Sequence, residues 1–215
     1  MRPALVLVAL LHSGCGSLGA FQTPAVLAPG KVRFGFETAG GKADERRPDV
    51  MEGVGALRID AGLGRGVEVS AMGGAHGGGG VVKVALPTTR VRGAVFVGAS
   101  RYAYEGGFFG YGYLKDEATT AFAGVSVAGR RAAFEIDNGR GPLSFRPYAG
   151  IRLVHVNGRS AEDCERCEYA VKRLRRLVPA ASLGLAFAET IGPRLEASVY
   201  LAPEPVVMFG LGVRF

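Results

Sequence analysis

The chain has 215 residues, which is room for one domain of ordinary size. With 48% hydrophobic and 21% charged residues it is too apolar for intrinsic disorder, and its 34 glycines follow no G-X-Y period, which excludes collagen. The formal net charge of +7 is not gathered into the basic stripe of a nucleic-acid binder, so no nucleic-acid partner is expected.

At the start of the chain, Met1 and Arg2 precede the uncharged apolar run ALVLVALL, residues 4–11. This run is too short to span a bilayer as a helix, which takes about 20 residues. It reads as an export signal over residues 1–14, to be kept out of the fold. The segment ends Leu11-His12-Ser13-Gly14-Cys15. Small residues directly before a cysteine resemble the lipobox of bacterial lipoproteins, and the resemblance implies an acylated Cys15. The departure is His12, where that family usually has Leu. The plainer alternative is an ordinary signal cut a few residues later, near Ala20. Residues 16–30 (GSLGAFQTPAVLAPG) carry no charge, and residues 15–30 read as a flexible tether.

From residue 31 the chain alternates with period two, and no later uncharged apolar stretch is long enough for a transmembrane helix. KVRFGFE (31–37) puts Val32, Phe34 and Phe36 on one face and Arg33 and Glu37 on the other. ALRIDAGL (56–63) sets Leu57, Ile59 and Leu63 against Arg58 and Asp60. VEVSAM (67–72) sets Val67 and Val69 against Glu68. Val82 and Val84 flank Lys83. Further segments follow at 95–101, 121–127, 148–153, 183–187, 194–201 and 207–215, the eighth being Leu183, Leu185 and Phe187 among small residues. Such alternation gives each strand one apolar and one polar face. The count is about ten strands, with eight as the alternative. Connectors are short at one end (Gly64-Arg65-Gly66; 87–92; 190–193) and long at the other (Glu105 to Glu117; Asn157 to Arg176). Two places break this rule: residues 129–144 are long where a short turn is expected, and 202–205 are short where a loop is expected; either the strand count differs there or 132–136 adds a small extension.

A soluble barrel hides its apolar face and a membrane barrel hides its charges. Here the polar faces are rich in Gly, Ser and paired charges, which suits a narrow lumen. Aromatics gather near strand ends (Phe34, Phe36, Tyr102, Tyr104, Phe108, Phe109, Tyr111, Tyr113, Phe187 and Phe215), as interfacial girdles do. The chain closes on Val207, Phe209, Leu211, Val213 and Phe215 at every second position. This ending resembles the terminal strand of bacterial outer-membrane barrels, which in that family is the insertion signal read by the barrel-assembly machinery. The resemblance implies an all-β, closed, antiparallel up-and-down transmembrane barrel over 31–215, in the bacterial outer membrane, in contact with outer-membrane lipid and lipopolysaccharide, and monomeric. Its lumen would hold Arg33, Glu37, Arg58, Asp60, Glu68, Lys83, Arg152, Glu196 and Arg214. Mixed signs point to an ion-pair network that fills so narrow a barrel.

Chemistry-bearing residues are few. Cys164 and Cys167 (CERC) lie in the longest predicted loop; in an exported protein they read as a disulfide staple. A redox pair would need a fold that lowers a thiol pKa, and a metal would need further ligands. SAEDCERCEYAVKRLRRL (160–177) has helical features: Ser160 with Asp163 as a capping box, and Glu162–Arg166 and Glu168–Lys172 four apart. Lys172, Arg173, Arg175 and Arg176 would meet lipopolysaccharide phosphates if exposed outside the cell; the alternative is a solvated charged loop. His155 is a faint match to barrel deacylases, which carry Ser two residues after the His, where Asn157 stands here. No catalytic residue, metal or cofactor is assigned. The reading is a structural or interaction protein of the envelope; a narrow channel for small or apolar solutes is the alternative, and a lipid-modifying enzyme the second.

Overall fold

The structure, a computed structural model, describes residues 22–42, 51–74, 77–87, 91–108, 112–134, 143–163, 170–187, 192–201 and 206–214. The signal and Cys15, the Cys164–Cys167 pair and Phe215 lie outside the described residues. So do Phe109 and Tyr111.

Eleven strands follow in chain order: β1 (Val32–Lys42), β2 (Met51–Gly64), β3 (Val67–Gly74), β4 (Gly77–Ala85), β5 (Arg92–Phe108), β6 (Gly112–Ala128), β7 (Ala132–Phe134), β8 (Leu143–Asp163), β9 (Ala170–Ala186), β10 (Gly192–Tyr200) and β11 (Val206–Arg214). All pairings are antiparallel, and among the described residues there is no helix. Ten strands close into a barrel. β6 pairs with β8 directly, and β1 pairs with β11 from Gly35 opposite Arg214 to Gly41 opposite Met208. β7 stands outside the ring as a three-residue addition to the start of β8. It accounts for the long connector that interrupts the alternation of short and long links.

The wall has uneven height. β3, β4, β10 and β11 have eight or nine residues each, whereas β5, β6 and β9 have 17 and β8 has 21. The excess lies at the end away from the Gly64-Arg65-Gly66 turn. There Arg101 to Phe108 pairs with Gly112 to Thr119, and Asn157 to Glu162 pairs with Ala170 to Arg175. This corrects two expectations. The predicted loops 105–117 and 157–176 are largely strand, and the helical features of 160–177 are overridden. A spaced acid–base pair stabilises a helix by only about 0.2–0.5 kcal/mol. A strand laid between two neighbours satisfies its whole backbone ladder instead.

The turn between β2 and β3 is built on three successive left-handed residues, Gly64, Arg65 and Gly66 (φ 104°, 49° and 74°). Glycine on both sides of Arg65 makes so tight a reversal affordable.

The barrel is apolar outside. Val32, Phe34, Leu57, Ile59, Leu63, Val82, Val84, Val95, Val97, Val127, Ile151, Leu153, Leu177, Leu183, Leu195, Phe209 and Leu211 are all exposed. Along β1, β2 and β10 they alternate with buried residues: Arg33 and Gly35 flank Phe34, Arg58 and Asp60 flank Ile59, and Arg194 and Glu196 flank Leu195. Of the predicted girdle, Phe34 is exposed and Phe36 and Phe187 are half-buried, the last with its ring centroid 6.3 Å from that of Phe145.

Three described aromatics depart from the girdle pattern, one of them Tyr148. Phe96 and Phe122 point inward, with centroids 6.4 Å apart, in a buried cluster with Ala56, Met72, Val81 and Val154. They sit at even positions between outward odd ones, so strand parity overrides residue type. The interior thus has an apolar layer beside an ionic one.

Candidate functional site: the lumen

Parity alone carries charge into the barrel. In β1 and β2, Arg33, Glu37, Arg58 and Asp60 alternate with outward Phe34, Leu57 and Ile59, and Arg33 stands directly opposite Asp60. β3 and β4 put Glu68 opposite Lys83. β8 adds Tyr148 and Arg152, and β10 adds Arg194, Glu196 and Ser198. Glu68 and Lys83 have no exposed surface, and Arg58, Asp60 and Arg194 have 1% each. Charges so enclosed are tolerable only when each is paired and hydrogen-bonded.

They are paired closely. Arg33 Nη2 lies 2.8 Å from Asp60 Oδ2 and 3.5 Å from Glu68 Oε2. Lys83 Nζ is 2.6 Å from Glu68 Oε1. Arg58 donates through Nε to Asp60 and through Nη2 to Ser70 Oγ at 2.9 Å, and its Nη1 is 3.4 Å from Glu37 Oε1. Ser70 donates in turn to Asp60 Oδ1 at 2.6 Å. Across the lumen, Tyr148 donates to Glu196 Oε2 and Ser198 to Glu196 Oε1, each at 2.9 Å, while Arg152 donates to Ser198 at 3.1 Å. A Cβ on Gly184 would overlap the Tyr148 ring, so a glycine there gives the ring its place.

The structure places Arg33, Glu37, Arg58, Asp60, Glu68, Lys83, Arg152 and Glu196 in this interior. Arg214 belongs to β11 opposite Gly35 and Gly192, and its side chain lies outside the described residues. Arg194, Tyr148, Ser70 and Ser198 were not among the lumen residues singled out, although period two sets Arg194 and Ser198 on one face with Glu196, Ser70 with Glu68, and Tyr148 with Arg152.

The largest difference concerns the tether. Over its described part it does not hang free but runs inside the barrel. Gln22, Thr23 and Pro24 are buried. Lys83 Nζ donates to the Thr23 carbonyl at 3.2 Å and the Ala25 carbonyl at 2.7 Å. Arg194 Nη1 donates to Thr23 Oγ1 at 2.8 Å, and the Leu27 amide donates to Glu68 Oε2 at 2.9 Å. Arg58 Nη2 reaches Gln22 Oε1 at 3.5 Å. The segment leaves at the turn end, where Gly30 N–H bonds the Gly62 carbonyl at 2.8 Å. A Cβ on Gly62 would overlap the Ala28 carbonyl, so only glycine lets the segment pass so close. The physical reason is valence. After Lys83 and Glu68 have met each other they still have hydrogen-bonding capacity, and buried strands offer no water to use it. An uncharged peptide brings carbonyls and amides that do. Between this segment and the wall remains a cavity of about 20 Å³, lined by Thr23, Pro24, Ala25, Tyr148 and Arg194 among others, which is room for about one water.

The other predicted contacts divide. Arg175 and Arg176 are both exposed. Adjacent strand residues face opposite ways, and Arg176 shares parity with the buried Val178 and Ala180. Arg175 therefore lies on the outward face and Arg176 on the lumen-side face, so the two do not form one patch. The side chains of Lys172 and Arg173 lie outside the described residues. Phe209 and Leu211 are exposed and Val213 is half-buried; Val207 is described only as a backbone partner of Val199. His155 is half-buried on the outward face, in register with Ala121 and Leu177 rather than with any lumen acid.

No family model matches the sequence, and no curated protein matches it. Solved structures do. Neisserial surface protein A is 14% identical, at a TM-score of 0.35 over 85% of this chain and 95% of that one. Ail, the attachment invasion locus protein of Yersinia pestis, is 11% identical, at 0.35 over 86% and 96%. The N-terminal β-barrel domain of Pseudomonas aeruginosa OprF is 14% identical, at 0.32 over 85% and 97%. Likeness at this level carries neither a residue's role nor an activity to this chain.

Proposed function

We propose that the chain is a bacterial outer-membrane β-barrel with a structural or interaction role in the envelope and a closed lumen. The observation that carries this reading is the inversion of faces: ion pairs enclosed by the ring and large aliphatic side chains exposed around it. In water that arrangement would expose a continuous apolar belt while confining the charges, which no soluble barrel gains from. In lipid it is the stable one, because closure pairs every backbone group and the belt meets hydrocarbon. From Leu177 to Phe187 the outward residues of β9 and its exit are Leu177, Pro179, Ala181, Leu183, Leu185 and Phe187. That stretch has the length a tilted transmembrane strand needs, about 9–11 residues. In this reading residues 1–14 direct export, Cys15 is acylated, Cys164 and Cys167 are bridged, and Val207, Phe209, Leu211, Val213 and Phe215 present the signal for insertion.

Between a structural barrel and a narrow channel, the packing of the lumen supports the first. The charges of the ionic layer are paired among its own members, residues 23–27 supply further partners to Lys83, Arg194 and Glu68, and the Phe96–Phe122 layer lies beside it. Two measurements test the reading. Extracted in detergent, the protein is expected to migrate differently before and after boiling; identical migration would reject the membrane barrel. In planar bilayers it is expected to be silent at all potentials, and steady unitary conductance would reject the closed lumen.

A further inference from the structure

The register of the tall wall brings two arginines to one height. Reading across β5, β6, β8 and β9, the outward residues form rows. Val95, Val125, Ile151 and Ala181 make one row, Val97, Ala123, Leu153 and Pro179 the next, and Ala99, Ala121, His155 and Leu177 the third. The fourth row is Arg101, Thr119, Asn157 and Arg175, and all four of its side chains are exposed. Below it, among the described outward side chains of all ten barrel strands, there is no Asp, Glu, Lys or Arg. The first charges beyond the apolar belt are thus two guanidinium groups in one row, three strand spacings or about 14 Å apart, with a hydroxyl and a carboxamide between them.

We propose that Arg101 and Arg175, with Thr119 and Asn157, form a binding row for the phosphorylated headgroups of membrane lipid at the tall end of the barrel. The inference rests on the membrane reading above and adds the ligand and its residues. A guanidinium at the edge of the hydrocarbon meets phosphate oxygens with paired donors at a depth where water competes poorly. Thr119 and Asn157 supply neutral donors to the same oxygens. The row lies on the outer surface of the wall, so the occupant is lipid rather than something held in the lumen. Arg176, one residue on, faces the other side of the wall and takes no part.

The test uses the full chain in neutral detergent micelles titrated with bisphosphorylated lipid A, dephosphorylated lipid A, or inorganic phosphate. The readout is the temperature at which the compact gel band is lost. Bisphosphorylated lipid A is expected to raise that temperature, and the dephosphorylated lipid and inorganic phosphate are not. In Arg101→Gln/Arg175→Gln the compact band should persist, with apparent affinity for the phosphorylated lipid about tenfold or more weaker. Arg176→Gln should bind as the unsubstituted protein does. Equal protection by both lipids, protection by inorganic phosphate alone, or full protection of the double variant would each overturn the proposal. Absence of any compact band in the unsubstituted protein would overturn the membrane reading itself, a different result from a compact band indifferent to phosphate. Should the double variant fail to fold, Arg175→Gln alone decides by the same comparison.

Discussion

At the scale of single residues, the balance of each lumen charge is local and therefore breakable. Lys83 and Glu68 have no exposed surface, and each completes the other's coordination. Lys83→Met strands Glu68 Oε1 in the interior and leaves the carboxylate only the Leu27 amide and the Arg33 guanidinium at 3.5 Å, both on Oε2. It is expected to destabilise the barrel by about 3–5 kcal/mol, read from urea unfolding in detergent by loss of the compact gel band. Adding Glu68→Gln removes the stranded charge, so the double variant should lose less than the sum of the two single losses. The outward face gives the converse. Ile151 is 64% exposed in the middle of the belt, and Ile151→Arg should cost about 2–4 kcal/mol in a bilayer. Asn157→Arg, at the edge row, should cost little. If both substitutions had the same small effect, the belt would not be meeting lipid.

Among the elements, the buried N-terminal segment and the tall wall were the least legible. Residues 22–27 have no periodicity and no charge. What they contribute is mostly backbone: the Thr23 and Ala25 carbonyls for Lys83 and the Leu27 amide for Glu68. Any sequence has those groups, so composition cannot announce that they are used. Deleting residues 22–27 leaves every strand ladder intact but removes two acceptors from Lys83 and one from Arg194. The compact band should still form, yet disappear at a lower temperature on heating; an unchanged temperature would make the segment a passenger. The tall wall misled for another reason. Residues 160–177 carry i,i+4 charge pairs that suit a helix, and only the neighbouring strands β6 and β9 decide that β8 continues upward to Asp163.

For the whole molecule the decisive event is closure. β11 joins β10 on one side and β1 on the other, and Val213 stands opposite Phe36 while Leu211 stands opposite Thr38. An open ring would present two strand edges to hydrocarbon, with unpaired backbone costing several kcal/mol per group. Truncation at Leu201, which removes β11, is therefore expected to abolish the compact band altogether rather than weaken it. A folded band from the truncated chain would show that closure is not what holds the sheet in lipid.

By itself the sequence determined which residues share a face, because side chains alternate along any strand whatever it pairs with. That is why Arg33, Asp60, Glu68 and Lys83 could be grouped against Phe34, Ile59, Val82 and Val84 before any contact was known. Tertiary structure alone decided which strands meet, at what register, and what fills the space they enclose. Those depend on partners far apart in the chain: Arg194 with Thr23, Gly35 with Arg214, Arg101 level with Arg175 across the intervening strands. Periodicity is a property of one strand, whereas height, closure and filling exist only once the ring is made.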